Sequence, residues 1–216
     1  MRRHSLLAAA LLAAPFAGSP VSAAPCVEAS VAVYEAAGFS CNVGPVTFSD
    51  FNVSTLATGS GFVQLGNFFP FISGNEFGLA LHYISTTGLT PNSSSDVFWG
   101  YNVSGAFLSD AFLMFAGNTT GTGQAQVSEV LSNGVTLSLG APGAVLETFA
   151  PIAALSVIKN QFNFDGPNGS ASTSALVNAF SVSPVPLPGA AVLMGTALAG
   201  FAGFSGWRRR RRNSLA

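Results

Sequence analysis

The chain has 216 residues, which leaves about 160 for one folded domain once two terminal segments of distinct composition are set aside. Seven of its eight basic residues lie in those segments, so the stretch between them carries nine acidic residues and one lysine, Lys159, a net charge of −8. This acidic body excludes nucleic acid as an expected partner, because a polyanion is bound through basic patches.

The N-terminus has the composition of a secretory signal peptide. Arg2 and Arg3 precede an apolar run at residues 6–17, and small residues end the segment at Ala23. We therefore expect a signal peptide over residues 1–23, export of the protein, and a mature domain over residues 24–183. Lipidation of Cys26 is disfavoured, because the proline directly before it breaks the small-residue pattern that a lipobox needs.

The first part of the mature domain is predicted to be closed by a disulfide. Val27, Val31 and Tyr34 are spaced by four and three, which predicts a short helix with one apolar face. Cys26 and Cys41 are the two cysteines of an exported chain, so we expect them to be joined, with two buried free thiols as the alternative. Two cysteines and one exported histidine are too few for a metal site, and no cofactor is expected.

The rest of the mature domain is predicted to be strands. Residues 46–53 place apolar side chains on both faces, and a bulge near Ser49 would reconcile them. Further on, large apolar residues alternate with small or polar ones in short runs separated by turn residues. The runs lie at residues 77–83, 97–103, 125–129, 135–139, 154–164 and 174–182. We expect eight to ten strands in an all-β, antiparallel, jelly-roll-like β-sandwich with a short N-terminal helix.

The motifs in the sequence do not indicate an enzyme. His82 lies, by alternation, on the outward face of its strand, and no serine has nucleophile-elbow spacing. The sequence shows no paired carboxylates of the glycosidase type, and residues 165–168 fit a tight turn better than a calcium loop. Phe98, Trp99 and Tyr101 could stack on sugar rings if they faced outward, but alternating aromatics in a sandwich favour the core.

The C-terminal residues 184–216 have three parts. A proline motif precedes an uncharged run at residues 189–207, about 28 Å long as a helix, which matches the hydrocarbon core of a bilayer. Arginines follow, and they predict a cytoplasmic location for that end of the helix. The motif is Val185, Pro186, Leu187 and Pro188, and the arginines are Arg208, Arg209, Arg210, Arg211 and Arg212.

This order of motif, apolar helix and arginine cluster resembles the PEP-CTERM class of sorting signals, in its VPLPA-type variant. The resemblance implies cleavage near the proline motif by an exosortase, a membrane-embedded, transpeptidase-like enzyme of Gram-negative bacteria. It also implies a transient stop in the inner membrane before the protein reaches the cell surface or the extracellular matrix. Association with exopolysaccharide or biofilm is a further implication of the resemblance.

Two functions are compatible with these observations. The first is an exported, non-enzymatic surface or matrix protein that is processed by an exosortase. The second is a carbohydrate-binding β-sandwich module, because jelly-roll sandwiches often serve as one. An exposed line of aromatic side chains would favour the second function, and a buried set would favour the first.

Overall fold

The computed structural model describes residues 23–88 and 90–183, together with the single residue Thr196. Within these ranges most residues lie in β-strands, and the one multi-residue helix, α1 (Val31–Tyr34), has four residues. The strands are β1 (Ala24–Pro25), β2 (Ala29–Ser30), β3 (Ser40–Val43), β4 (Val46–Thr58), β5 (Phe62–Ser73), β6 (Glu76–Thr86), β7 (Ser94–Thr120), β8 (Gln124–Leu131), β9 (Thr136–Leu139), β10 (Gly143–Phe164) and β11 (Ser170–Ser181).

The strands form one curled sheet organised around two long partners, β7 and β10. These two strands pair from Gly143 opposite Phe115 at one end to Phe164 opposite Ser94 at the other. On its other edge β7 pairs first with β4 and then with β11, so its two halves have different neighbours. The change of neighbour lies near Phe107, which has a positive φ of 63° that a non-glycine residue rarely adopts.

The curl brings two parts of the sheet face to face. We call residues 94–105 of β7, residues 154–164 of β10, β4 and β8 the first layer. We call residues 108–120 of β7, β11, β6 and β5 the second layer. β7 thus belongs to both layers, and its pairing with β10 continues from one layer to the other through two register shifts between Thr148 and Ala154.

The hydrophobic core lies between the two layers. The ring of Phe68, on β5, lies 5.0 Å from that of Trp99, on β7, and Trp99 and Tyr101 are both buried, as alternation predicts. Burying a large apolar side chain contributes about 1.5–3 kcal/mol, so these rings hold the layers together. The largest fully buried apolar side chains are Tyr34, Phe48, Phe68, Leu79, Leu81, Trp99, Leu108, Leu113, Phe115, Leu131 and Phe180.

The predicted all-β architecture is confirmed, with two corrections. The described residues form eleven strands rather than eight to ten, because β1 and β2 have two residues each and are too short for alternation to reveal. β1 pairs with β3 in parallel, whereas a fully antiparallel arrangement was expected. The bulge near Ser49 is confirmed by a register shift between Ser49 and Asn52 and by a φ of 55° at Asp50.

The short N-terminal helix is confirmed, but the predicted apolar face is wrong at one residue. Val31 and Tyr34 are buried, whereas Val27 is 64% exposed and precedes the helix. The reason is that Ala29 and Ser30 pair with β5 as β2, which keeps the chain extended until the helix begins. Val27 still contacts Tyr34 through the backbone, because its carbonyl accepts a 2.8 Å hydrogen bond from the phenol.

The predicted disulfide between Cys26 and Cys41 is confirmed. The Cys26 amide also donates to the carbonyl of Asn42 at 2.8 Å, so the start of the domain is held against β3 by both kinds of bond. A disulfide across a separation of 15 residues stabilises a fold by about 3 kcal/mol in the chain-entropy model.

The two terminal signals lie almost wholly outside the described residues. This applies to residues 1–22 of the predicted signal peptide, to Val185–Pro188, and to Arg208–Arg212. Of the predicted membrane helix at residues 189–207, only Thr196 is described. Across the described part of the chain, every helix is too short to cross a bilayer.

Candidate functional site

The outward side of the first layer carries aromatic rings among polar side chains. On β7 and β10, the alternation that turns Trp99 and Lys159 inward turns Phe98 and Phe162 outward. Neighbouring strands add hydroxyl, amide and carboxyl groups in the same rows. We call this surface the Phe162 face, and it comprises Leu56, Asp96, Phe98, Gln126, Ser128, Asn160, Phe162 and Phe164.

Three phenylalanines form the apolar part of the Phe162 face. Phe162 and Phe164 are two residues apart on β10, with ring centroids 6.3 Å apart and ring planes 8° from parallel. Phe98 lies on the adjacent strand opposite Asn160, and 37% of the residue is exposed. Flat apolar surface at the exterior of a layer rich in Ser and Asn is available for a ligand that has a flat apolar side of its own.

Asp96 is the one carboxylate of the Phe162 face. It pairs across strands with Leu56 on one side and Phe162 on the other, and it is 8% exposed. Desolvation in this setting raises the pKa of the Asp96 carboxyl. Within residues 23–88 and 90–183 no group donates a hydrogen bond to this carboxyl, so its oxygens are available to a hydroxyl-bearing ligand.

A small pocket of about 110 Å³ lies beside Phe162. Its polar lining comes from Gln126 and Ser128 on β8, Ser138 on β9 and Asn160 on β10. The Oδ1 atom of Asn160 is buried and has no hydrogen-bond partner in the described part of the chain. An unsatisfied buried acceptor costs about 1–3 kcal/mol, so a hydroxyl donor entering this pocket would gain a hydrogen bond at little desolvation cost.

A wider groove of about 320 Å³ continues the same surface beyond Ile158. Ser156 donates from Oγ to Asn102 Oδ1 at 2.6 Å, and Asn102 donates from Nδ2 to Asp50 at 2.8 Å. The residues that line the groove are mostly serine and asparagine, whose hydroxyl and amide groups suit hydroxyl-rich ligands. At 3.3 Å per residue, the surface from Phe164 to Ser156 is about 26 Å long.

A second polar cluster lies inside the core, between the layers. Lys159, the one lysine of the chain, is fully buried, and its Nζ lies 2.8 Å from Glu129 Oε2 on β8. The same nitrogen donates to Asn178 Oδ1 on β11 at 2.6 Å. It lies 5.0 Å from the ring centroids of both Trp99 and Tyr101. Four strands therefore meet at one amine.

Asn178 is hydrogen-bonded through both atoms of its amide. Its Nδ2 donates to the two carboxylate oxygens of Glu129, each at 3.1 Å, and to the carbonyl of Phe112 at 2.8 Å. Its Oδ1 accepts from the Tyr101 phenol as well as from Lys159. Burial lowers the pKa of Lys159 to about 8, and the neighbouring Glu129 opposes this shift. Burial, with a smaller contribution from Glu129, raises the pKa of Tyr101, which therefore stays a donor.

The sequence analysis did not predict this cluster. Glu129 alternates with Ala125 and Val127, and that face of β8 is buried, so a charged residue at an inward position was the available signal. His82 is exposed, as predicted, and its ring lies 4.4 Å from that of Phe69. In the described ranges, no three His, Cys, Asp or Glu side chains are grouped closely enough to hold a metal ion.

No known family matches the chain, and no curated protein is similar to it. The enzymatically active domain of bacteriophage CBA120 tailspike protein 4 aligns with 61% of the chain, which spans 19% of that structure, at 14% identity and a TM-score of 0.30. Carbohydrate-binding module CBM36, solved with calcium and xylotriose, aligns with 59% of the chain over 99% of its length, at 16% identity and a TM-score of 0.23. A family 11 carbohydrate-binding module of a Clostridium thermocellum cellulase aligns with 62% of the chain over 90% of the module's own length, at 12% identity and a TM-score of 0.20. Likeness at these TM-scores gives no information on function.

Proposed function

We propose that this chain is an exported, non-enzymatic surface or matrix protein whose β domain binds an uncharged polysaccharide at the Phe162 face. The observation that carries the proposal is the row of outward phenylalanines flanked by open hydrogen-bond acceptors on one side of the first layer. The proposal includes the finer fold assignment, a jelly-roll-like β-sandwich between a signal peptide and a C-terminal membrane helix.

A sugar ring has an apolar face of C–H groups and a rim of hydroxyls, and both have counterparts on this surface. The rings of Phe98, Phe162 and Phe164 offer flat apolar area to the C–H face. Asp96 and Asn160 offer acceptors to hydroxyl donors beside those rings. Apolar contact with a few placed polar groups is the usual composition of a binding site.

The charge of the domain favours an uncharged polysaccharide over an anionic one. All nine acidic residues lie between residues 24 and 183, and the one lysine there is buried against Glu129. The described residues therefore expose no lysine or arginine, and His82 is the one exposed basic side chain among them. A negatively charged surface repels anionic polymers, whereas it does not repel uncharged polysaccharides.

We assign binding rather than hydrolysis to the face. Glycoside hydrolysis by the common route needs two carboxyl groups on opposite sides of the scissile bond. The Phe162 face holds a single carboxylate, Asp96, which lies between two apolar neighbours. This arrangement supports a binding role, with the ligand's hydroxyls as hydrogen-bond donors.

Export and sorting complete the proposal. The signal peptide commits the chain to export, and the C-terminal helix and arginines hold it transiently in the inner membrane of a Gram-negative bacterium. An exosortase then processes the chain near Val185–Pro188, and the domain reaches the cell surface or matrix, where it associates with exopolysaccharide. The Cys26–Cys41 disulfide supports an oxidising, exported location.

A glycan array probed with the mature protein tests the binding proposal. We expect binding to one class of uncharged polysaccharide and none to anionic glycans. Phe162→Ala should abolish the signal, whereas Phe71→Ala, at a phenylalanine stacked on Phe112 in the second layer, is the matched control and should retain it. Binding confined to anionic glycans, or equal binding by the two variants, would contradict the proposal.

A further inference from the structure

We propose that Lys159 and Asn178 become joined by a covalent amide bond inside the folded domain, with Glu129 as the group that moves the proton. This modification is independent of polysaccharide binding, because the three residues lie in the core and the Phe162 face lies on the exterior. It uses a nucleophile, an electrophile and an acid–base group that the fold brings together from β10, β11 and β8.

The reacting atoms are adjacent in the structure. The amine nitrogen of Lys159 lies 2.6 Å from Oδ1 of Asn178, so the carbonyl carbon that carries this oxygen is beside the nucleophile. The departing nitrogen, Nδ2, already donates to both oxygens of Glu129 at 3.1 Å. Glu129 Oε2 is also 2.8 Å from Nζ. One carboxyl group thus touches both the attacking and the leaving nitrogen.

The reaction is a transamidation that balances without any co-reactant. Proton transfer from the ammonium to the carboxylate gives a neutral amine on Lys159 and a carboxylic acid on Glu129. Nζ attacks Cγ of Asn178, a new N–C bond forms, and the Cγ–Nδ2 bond breaks. Glu129 gives a proton to Nδ2 and takes one from Nζ, so the products are a secondary amide and one molecule of ammonia.

The surroundings favour each step of this reaction. Desolvation lowers the pKa of Lys159 to about 8, which makes the neutral, nucleophilic amine accessible near neutral pH. The Tyr101 phenol donates to Oδ1, where negative charge develops as Nζ attacks. Groups held at this distance react as though at a very high concentration, of order 10⁵ M or more in favourable cases.

The bond would join the two layers at the C-terminal strand. Lys159 belongs to the first layer and Asn178 to β11 of the second. β11 is the last strand before the predicted sorting signal, so tension on that end of the domain would act on it directly. The disulfide at Cys26 and Cys41 holds the other end of the domain, and the two covalent links would together constrain both ends.

Trypsin provides a direct test, because Lys159 is the only lysine or arginine between Arg3 and Arg208. The full chain is isolated after export, reduced, denatured and digested, and the mass of the large product is measured. A free Lys159 is cleaved by trypsin, whereas an acylated one is not. We expect an uncleaved product that is lighter than its sequence mass by about 17 Da, the mass of ammonia. Complete cleavage at Lys159 with no mass deficit would overturn the proposal and leave a non-covalent buried ion pair.

Variants test the role of each group. Glu129→Gln removes the proton carrier and should give a chain that trypsin cleaves and that shows no deficit. Gln161→Met is the matched control, since Gln161 is a buried polar residue on the same strand as Lys159 and takes no part in the reaction. This variant should stay uncleaved. Because Glu129→Gln can leave the chain unfolded, Tyr101→Phe is followed over time after synthesis and should form the bond several-fold more slowly. Full linkage in Glu129→Gln, or an unchanged rate in Tyr101→Phe, would remove that residue from the mechanism.

Discussion

Asn178, on the last strand of the domain, accepts a 2.6 Å hydrogen bond from the buried amine of Lys159 on the opposite layer. This contact is at the centre of the core, where Glu129 completes a cluster with no exposure to solvent. Buried ion pairs rarely add stability over apolar residues of the same size, because the loss of hydration offsets the attraction. Stability alone therefore does not explain why a cluster of this composition lies in the core.

The first prediction concerns the stability of a variant that lacks the two charged members of the cluster. If the cluster is purely ionic, the double variant Lys159→Met/Glu129→Leu should be as stable as the parent, or more stable by about 1–4 kcal/mol. A covalent link across 19 residues instead contributes about 3 kcal/mol, so we expect the double variant to be less stable by about that amount. Urea unfolding of the two proteins measures the difference, and a double variant as stable as the parent would count against the link.

The second prediction concerns the disulfide. Cys26→Ser/Cys41→Ser should lower the free energy of unfolding by about 3 kcal/mol, because the unfolded chain regains the freedom that the closed loop removes. Thermal unfolding of the oxidised parent and of the variant measures the loss. The parent treated with reductant is the control and should match the variant. Identical unfolding of the oxidised and reduced parent would show that the bond is not formed in the exported protein.

The third prediction concerns alkaline pH. The chain has three tyrosines, and burial raises the pKa of all of them: Tyr34 to about 12, and Tyr83 and Tyr101 also above their usual value. The unfolded chain releases these protons near pH 10 while the folded chain keeps them, so stability should fall as pH rises above about 10. Each tyrosine contributes up to about 1.4 kcal/mol per pH unit in this range.

Near-ultraviolet absorbance of phenolate, recorded with circular dichroism, measures this effect. At about pH 11 the native protein should show almost no phenolate signal, whereas the chain in denaturant should show three largely ionised tyrosines. Tyr34→Phe removes the tyrosine whose pKa is raised least, to about 12, and should leave the native signal almost unchanged. Phenolate absorbance from a protein that is still folded at that pH would contradict the burial of these side chains.

The fourth prediction is two-step maturation in the native host. The protein should pause as a membrane species with its domain outside, and cleavage near Val185–Pro188 should then free or transfer the domain. Deleting Arg208–Arg212 should impair retention, and a Gly/Ser spacer in place of Val185–Pro188 should leave the protein in the membrane. Fractionated immunoblots with intact mass measure both effects. A mature protein that keeps Arg212 and stays wholly in the membrane would identify the tail as a plain anchor.

Local patterns in the sequence predicted the features that depend on local geometry. Alternation predicted that Trp99 and Tyr101 face inward and that His82 faces outward, because side chains along a strand alternate between its two faces. Residues 46–53 place apolar side chains on both faces of one strand, and this pattern predicted the bulge at Ser49. These outcomes require no knowledge of which strand lies beside which.

The features that were missed depend on distant partners. β7 is one strand of 27 residues whose halves belong to different layers, and alternation within residues 97–103 cannot show where such a strand turns. The Lys159 cluster was missed for the same reason. Glu129 lies 30 residues before Lys159 and Asn178 lies 19 residues after it, and the three meet only across the curled sheet. Val27 was misplaced because pairing of β2 with β5 overrides the helical spacing.

Affinity electrophoresis in gels that contain soluble, uncharged glucans, mannans or xylans tests the central claim most directly, that the Phe162 face binds polysaccharide. We expect one of these polymers to retard the mature domain, and we expect Phe162→Ala to migrate as it does in a gel without polymer. Phe71→Ala, changed on the opposite layer, should be retarded as strongly as the parent. If no polymer retards the parent, or if Phe162→Ala is retarded as strongly as Phe71→Ala, the claim is contradicted.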